Sequence, residues 1–125
     1  MELNGRDKLD MLFEMQRALD SDIARLRSLD YTMEEWIQKD VLAMISELGE
    51  LLDEVNFKWW KNKKELDHAA IKEELIDILH FYISMCCRAG MTPDELFGIY
   101  CAKNKENFDR QYGRSTKKGY EAAED

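Results

Sequence analysis

Apolar residues return at three- and four-residue steps along almost the whole chain, and this periodicity restricts the fold more than any other feature. Leu9, Leu12, Met15, Leu19, Ile23 and Leu26 mark a first helix over about residues 5–28. Thr32 and Glu35 form a capping-box pair that opens a second, with a stripe of Ile37, Val41, Met44, Ile45, Leu48, Leu52, Val55 and Trp59. The polar connection Asn62–Glu65 breaks that stripe, and Asp67 can cap a third helix carrying Ile71, Leu75, Ile78, Leu79, Tyr82, Ile83 and Cys86 up to a stop at Gly90. Thr92, Pro93 and Glu95 open a fourth that runs to about residue 112. One proline and six glycines in 125 residues are too few for the turns of a β-sandwich or barrel. The expected fold is therefore all-α, an antiparallel helical bundle of about four main helices. One domain spans 1–112, and a tail over 113–125 is expected to be mobile unless a ligand or partner orders it.

Charge narrows the function. The formal net charge is −8, which excludes general nucleic-acid polymer binders and anionic-membrane binders. It is unevenly spread: residues 101–120 carry six basic and two acidic side chains, a segment of +4 against −12 elsewhere. Three cysteines, Cys86, Cys87 and Cys101, lie in apolar-periodic segments without a C-x-x-C spacing, the pattern of reduced, buried thiols. No run approaches the ~18 apolar residues of a membrane span, and the N-terminus has no signal-peptide pattern. A cytoplasmic protein with no membrane partner is expected.

The chemistry points to two acidic pairs. Glu47-Leu-Gly-Glu50 falls on the second helix and Glu74-Leu-Ile-Asp77 on the third, each pair on one helical face. A short connection makes these helices neighbours, so four carboxylates can converge on one cation, as in sites that hold Mg²⁺ for phosphate chemistry. The same spacing recurs at Asp7/Asp10, Glu50/Asp53, Glu106/Asp109 and Glu121/Glu124, so by spacing alone a solvated acidic face reads equally well. The small residues Ala43, Ser46 and Gly49 beside the stripe, and His80 in Asp77-Ile-Leu-His80, favour a site. A di-iron reading from Glu65-x-x-His68 and Asp77-x-x-His80 fits poorly, because Glu65 and His68 straddle a helix start.

Further along, Phe57-Lys58-Trp59-Trp60-Lys61-Asn62 ends the second helix. Trp59 reads either as core or as part of a wall for a base or sugar, with lysines toward phosphate. Lys103, Asn107 and Arg110 share a face of the fourth helix, either solvated or holding phosphates beside an amide that reads a base. Glu47-Leu-Gly-Glu50, the tryptophan run and Glu74-Leu-Ile-Asp77-Ile-Leu-His80-Phe81 together resemble the dimeric dUTPases. These belong to the all-α nucleoside triphosphate pyrophosphatase superfamily, with the MazG-type enzymes. Met15-Gln16-Arg17-Ala18-Leu19 and Lys103-Asn104…Asn107-Phe108-Asp109-Arg110-Gln111…Gly113 fall where that family has its first-helix and C-terminal motifs, so the resemblance covers about residues 9–120.

The resemblance implies Mg²⁺ at Glu47, Glu50, Glu74 and Asp77, with Glu47 orienting or deprotonating the attacking water. It implies Gln16 and Asn107 on the uracil edge, Trp59 and His80 lining the base and deoxyribose pocket, and Lys103 and Arg110, with Lys58 and Lys61, on the phosphates. The implied reaction is hydrolysis of dUTP, and of dUDP, to dUMP. The alternatives are a MazG-like pyrophosphatase for dCTP or other nucleoside triphosphates and a non-catalytic helical interaction module. The chain lacks much of the material that longer dimeric dUTPases insert between the third helix and the C-terminal motif. A bundle this short leaves little to close over a triphosphate, so a homodimer with its interface bordering the site is expected.

Overall fold

A computed structural model describes residues 6–121. The expected helix start at residue 5, Glu124 of one acidic pair and the end of the tail at 122–125 lie outside the described residues. Within them the protein is all-α: α1 spans Lys8–Leu26, α2 Met33–Glu54, α3 His68–Arg88 and α4 Pro93–Gln111. Two compact units divide the chain, one through Met91 with α1 to α3 and one from Thr92 with α4 and the segment after it.

Local chemistry sets the helix ends. Asp7 caps α1, accepting from the Asp10 backbone N–H while the Asp10 carboxylate accepts from that of Asp7, so one of the recurrent acidic pairs is a capping box. Thr32 Oγ1 accepts from Glu35 N at 3.2 Å and donates to the Glu35 carboxylate, so that side chain returns to the hydroxyl rather than to the cap's backbone. Asp67 and Thr92 cap α3 and α4 in the expected manner. Gly90, at φ 78°, takes the left-handed conformation that closes α3.

The second helix is shorter than its apolar stripe predicts. It stops at Glu54, and Asn56 turns the chain with φ 58°. The Asn56 side chain then donates to the Lys64 carbonyl at 3.0 Å and accepts from the Lys64 N–H at 2.9 Å. This clasp closes the α2–α3 loop and ejects the tryptophans from the helix: Trp59 is 81% exposed and lies outside the core.

In the first unit α3 is central, packed against both α1 and α2. Its core is small: among the described residues the buried apolar side chains are Met11 and Phe13 on α1 and Ile83 and Cys86 on α3. Polar groups are buried alongside them, namely Gln16, Asp40 and Ser84. Of the cysteines Cys86 is buried, Cys87 half-buried and Cys101 exposed, and all three are free thiols, so the expectation of burial fails at Cys101. In the second unit Glu106 accepts from Arg110 and from the Ser115 hydroxyl, and Asp109 pairs with Lys105 and Arg114. These contacts tie the segment after Gly113 to α4. No helix among the described residues is long and apolar enough to cross a membrane.

Candidate active site

Glu47 and Glu50, one turn apart on α2, face Glu74 on α3. One carboxylate oxygen from each lies within 4.8 Å of the other two. Glu47 and Glu74 are half-buried and Glu50 is exposed, so the group opens to solvent on one side. When ionised, Glu47 Oε2 and Glu74 Oε2 are buried without a hydrogen-bond donor. Buried carboxylate oxygens cost free energy unless a proton or a cation serves them. The Glu74 carboxyl is accordingly pushed up to about 7, first because a proton on it can be shared with Glu47, then by burial and by the charges of Glu50 and Glu47. All-oxygen donors of net negative charge, brought together from two helices and short of a partner, fit a hard divalent cation such as Mg²⁺.

Asp77, one turn beyond Glu74, is half-buried and lies outside this group of three. Farther along the same seam Gln16 is buried at 6% exposure, donating to Asp20 at 2.9 Å and meeting His80 Nδ1 through its carbonyl at 2.7 Å. Lys58 pairs with Asp53 at 3.8 Å. Together with Lys61 and Lys64 it lines a cavity of about 310 Å³ under the Asn56 turn. Trp59 and Trp60 stand exposed beside those lysines in sequence, edge to face at 4.7 Å. In the second unit Lys103 is exposed, and Asn107 accepts weakly from Arg110 at 3.4 Å. Arg110 is held by Glu106 at 3.0 Å and stacks over Tyr120.

A family model described as dUTPase matches residues 8–93. The chain belongs to the dUTPase family. The matched span takes in the three clustered carboxylates together with Gln16, Trp59, Asp77 and His80, and ends before Lys103, Asn107 and Arg110. Among curated relatives, a dCTP pyrophosphatase of Enterobacteria phage T4 is 31% identical over 85% of this chain and 81% of its own length. A DNA replication protein of the same phage is 29% identical over 80% of this chain and 34% of its own length. A dCTP pyrophosphatase of Enterobacteria phage LZ5 is 47% identical over a shorter stretch, 36% of this chain and 26% of that protein. No solved structure matches.

Four polar residues near this dUTPase-family site went unnoticed in the sequence: Asp20, Asp40, Ser84 and Arg88. Ser84 Oγ donates to Asp20 at 2.8 Å, and the Arg88 guanidinium lies 4.1 Å over the Trp36 ring. A signal was present at Asp40, which falls three residues after Ile37 and four before Met44 on the apolar face of α2.

Proposed function

We propose that the chain hydrolyses a pyrimidine deoxynucleoside triphosphate, dUTP or dCTP, to the monophosphate and pyrophosphate in a Mg²⁺-dependent reaction. The observation that carries this reading is the trio Glu47, Glu50 and Glu74, two of whose buried oxygens have no donor. Family membership supports uracil as the base, and the names of the two phage pyrophosphatases support cytosine. The diphosphate dUDP would enter by the same route.

Glu47, Glu50 and Glu74 would hold the ion, with Asp77 added from the next turn. Bound there, Mg²⁺ would polarise phosphoryl oxygens and lower the pKa of a coordinated water. Glu47, which carries an unpartnered oxygen, would orient the attacking water and take its proton. Hydrolysis would join a water oxygen to the α-phosphorus, break the bridge to the β-phosphate and release pyrophosphate. Lys58 and Lys61, in the loop after α2, would supply positive charge for the phosphates, and Lys103 and Arg110 are the cationic candidates within the second unit. Trp59 and His80 would line the base and sugar, with Gln16 contributing an amide for the base edge, and Asn107 is the amide candidate within the second unit.

Self-association as a homodimer is part of this reading. It is supported by apolar side chains standing in solvent along α2, with Leu42 67% and Ile45 57% exposed. We place the reaction in the cytoplasm, where three free thiols remain reduced.

The test is turnover of dUTP, dCTP, dTTP and UTP with Mg²⁺ and with EDTA. Metal-dependent release of pyrophosphate from dUTP or dCTP, well above that from UTP, is expected. Absence of turnover with all four would overturn the reading in favour of a non-catalytic helical module.

A further inference from the structure

A second polar centre lies two turns from the carboxylate trio. Asp40 precedes Glu47 by seven residues on α2, about 10 Å along the helix, and Ser84 follows Glu74 by ten on α3, about 15 Å. The two helices run antiparallel, so both steps lead to one place on the seam. There a cavity of about 250 Å³ is lined by Gln16, Asp20, Trp36, Asp40, His80 and Ser84, among others. Three of these are at least nine-tenths buried: Gln16 at 6%, Asp40 at 8% and Ser84 at 2% exposure. Asp40 Oδ2 is buried there with no hydrogen-bond partner.

The hydrogen-bond directions in this wall follow from one another. A carboxylate at Asp20 can only accept, so it receives the Ser84 hydroxyl on one oxygen and the Gln16 amide N–H on the other. That turns the Gln16 carbonyl toward His80 Nδ1, which must then carry its hydrogen. With its carbonyl engaged, Gln16 has only its second N–H to offer a ligand, and Asp40 offers only an acceptor. Burial pushes the Asp40 carboxyl up and Asp20 adds to that, while the Arg88 guanidinium favours its charged form.

We propose that Asp40 is a specificity-determining residue of the base pocket, taking a hydrogen of the exocyclic amine of cytosine, with Asp20 as the positioning residue that fixes the Gln16 amide to donate to ring N3. The proposal rests on the nucleotide reading given above and chooses between its two bases. Cytosine offers the amine as donor and N3 as acceptor, complementary to this pair. Uracil reverses both, setting its O4 against the Asp40 carboxylate and its N3–H against the Gln16 N–H. Such a double mismatch in a buried site is strongly disfavoured.

The experiment compares Asp40→Asn and Asp20→Asn with the unaltered protein. Binding of dCMP and dUMP is measured by calorimetry, which needs no turnover, alongside kcat and KM for dCTP and dUTP and the thermal midpoint. The unaltered protein is expected to bind dCMP at least tenfold more tightly than dUMP. Asp40→Asn, whose amide can turn an N–H toward O4, should reduce that preference tenfold or more, through KM rather than kcat. Asp20→Asn frees the Gln16 amide to reverse and should move the preference the same way, with Asp20 reached only through Gln16. Equal binding of dCMP and dUMP by the unaltered protein, or an unchanged ratio in a folded Asp40→Asn or Asp20→Asn, would overturn the proposal. Selective binding of dCMP without hydrolysis of any triphosphate would instead overturn the enzymatic reading and leave the base assignment standing.

Discussion

Without a cation, the Glu74 carboxyl at about 7 gives the folded state a proton that the unfolded chain, with an ordinary glutamate near 4.5, has already released. Between those values the native state binds more protons, so stability must fall as pH rises through the window and stay low above it. Thermal midpoints in EDTA should therefore decline from pH 5 to pH 7.5, and Glu74→Gln should flatten the decline. Adding Mg²⁺ should restore stability chiefly at the higher pH, because the ion takes the place of the proton. Glu50→Ala and Asp77→Ala should each abolish turnover while leaving the helical signal intact; activity surviving both changes would sink the metal assignment. Three-residue spacing on two neighbouring helices puts Glu47, Glu50 and Glu74 within reach of one another, but it reads equally well as a solvated face and groups Asp77 with them, which lies outside the trio. Asp20 and Ser84 were not legible in the sequence, since 64 residues separate them and neither belongs to a periodic pattern.

At the level of elements, caps and the α2–α3 turn carry the testable consequences. Thr32→Ala removes an acceptor for the Glu35 N–H and should cost about 1 kcal/mol in a denaturant melt. Asn56→Gly keeps the left-handed backbone but loses both bonds to Lys64, whereas Asn56→Ala adds the steric penalty of a Cβ at φ 58°. Alanine should therefore be the more damaging of the two, by roughly 1 kcal/mol. Helix number and three of the four N-caps followed directly from apolar spacing and capping residues. The end of α2 did not, because Val55 and Trp59 continue the helical register, and what stops the helix is a side-chain clasp to a residue eight positions on. Periodicity carries no information about such a contact, and the same clasp moves Trp59 from the interior to the surface.

For the whole molecule the apolar surface along α2 has the largest consequence. Leu42→Glu and Ile45→Glu change exposed positions, so each should leave the folded chain's melting cooperative while lowering the sedimentation coefficient from that of a dimer to that of a monomer. A sedimentation profile of fully active monomer for the unaltered chain would contradict the homodimer. The acidic excess has also acquired a location: part of it is a cluster suited to a cation, so a Mg²⁺-chelated triphosphate suits a chain of charge −8 in a way that a long polyanion does not.

The turn that shortens α2 leaves Trp59 and Trp60 perpendicular, with ring centroids 4.7 Å apart and Phe57 edge-on to both. Indoles that close exchange excitation, so the pair is an internal optical gauge whose circular dichroism depends on the angle between two rings. Because Lys58 and Lys61 flank the pair, triphosphate reaching those lysines should change the exciton signal within the dead time of binding, before any bond is broken. Occupancy of the site can then be followed separately from chemistry in the unlabelled protein.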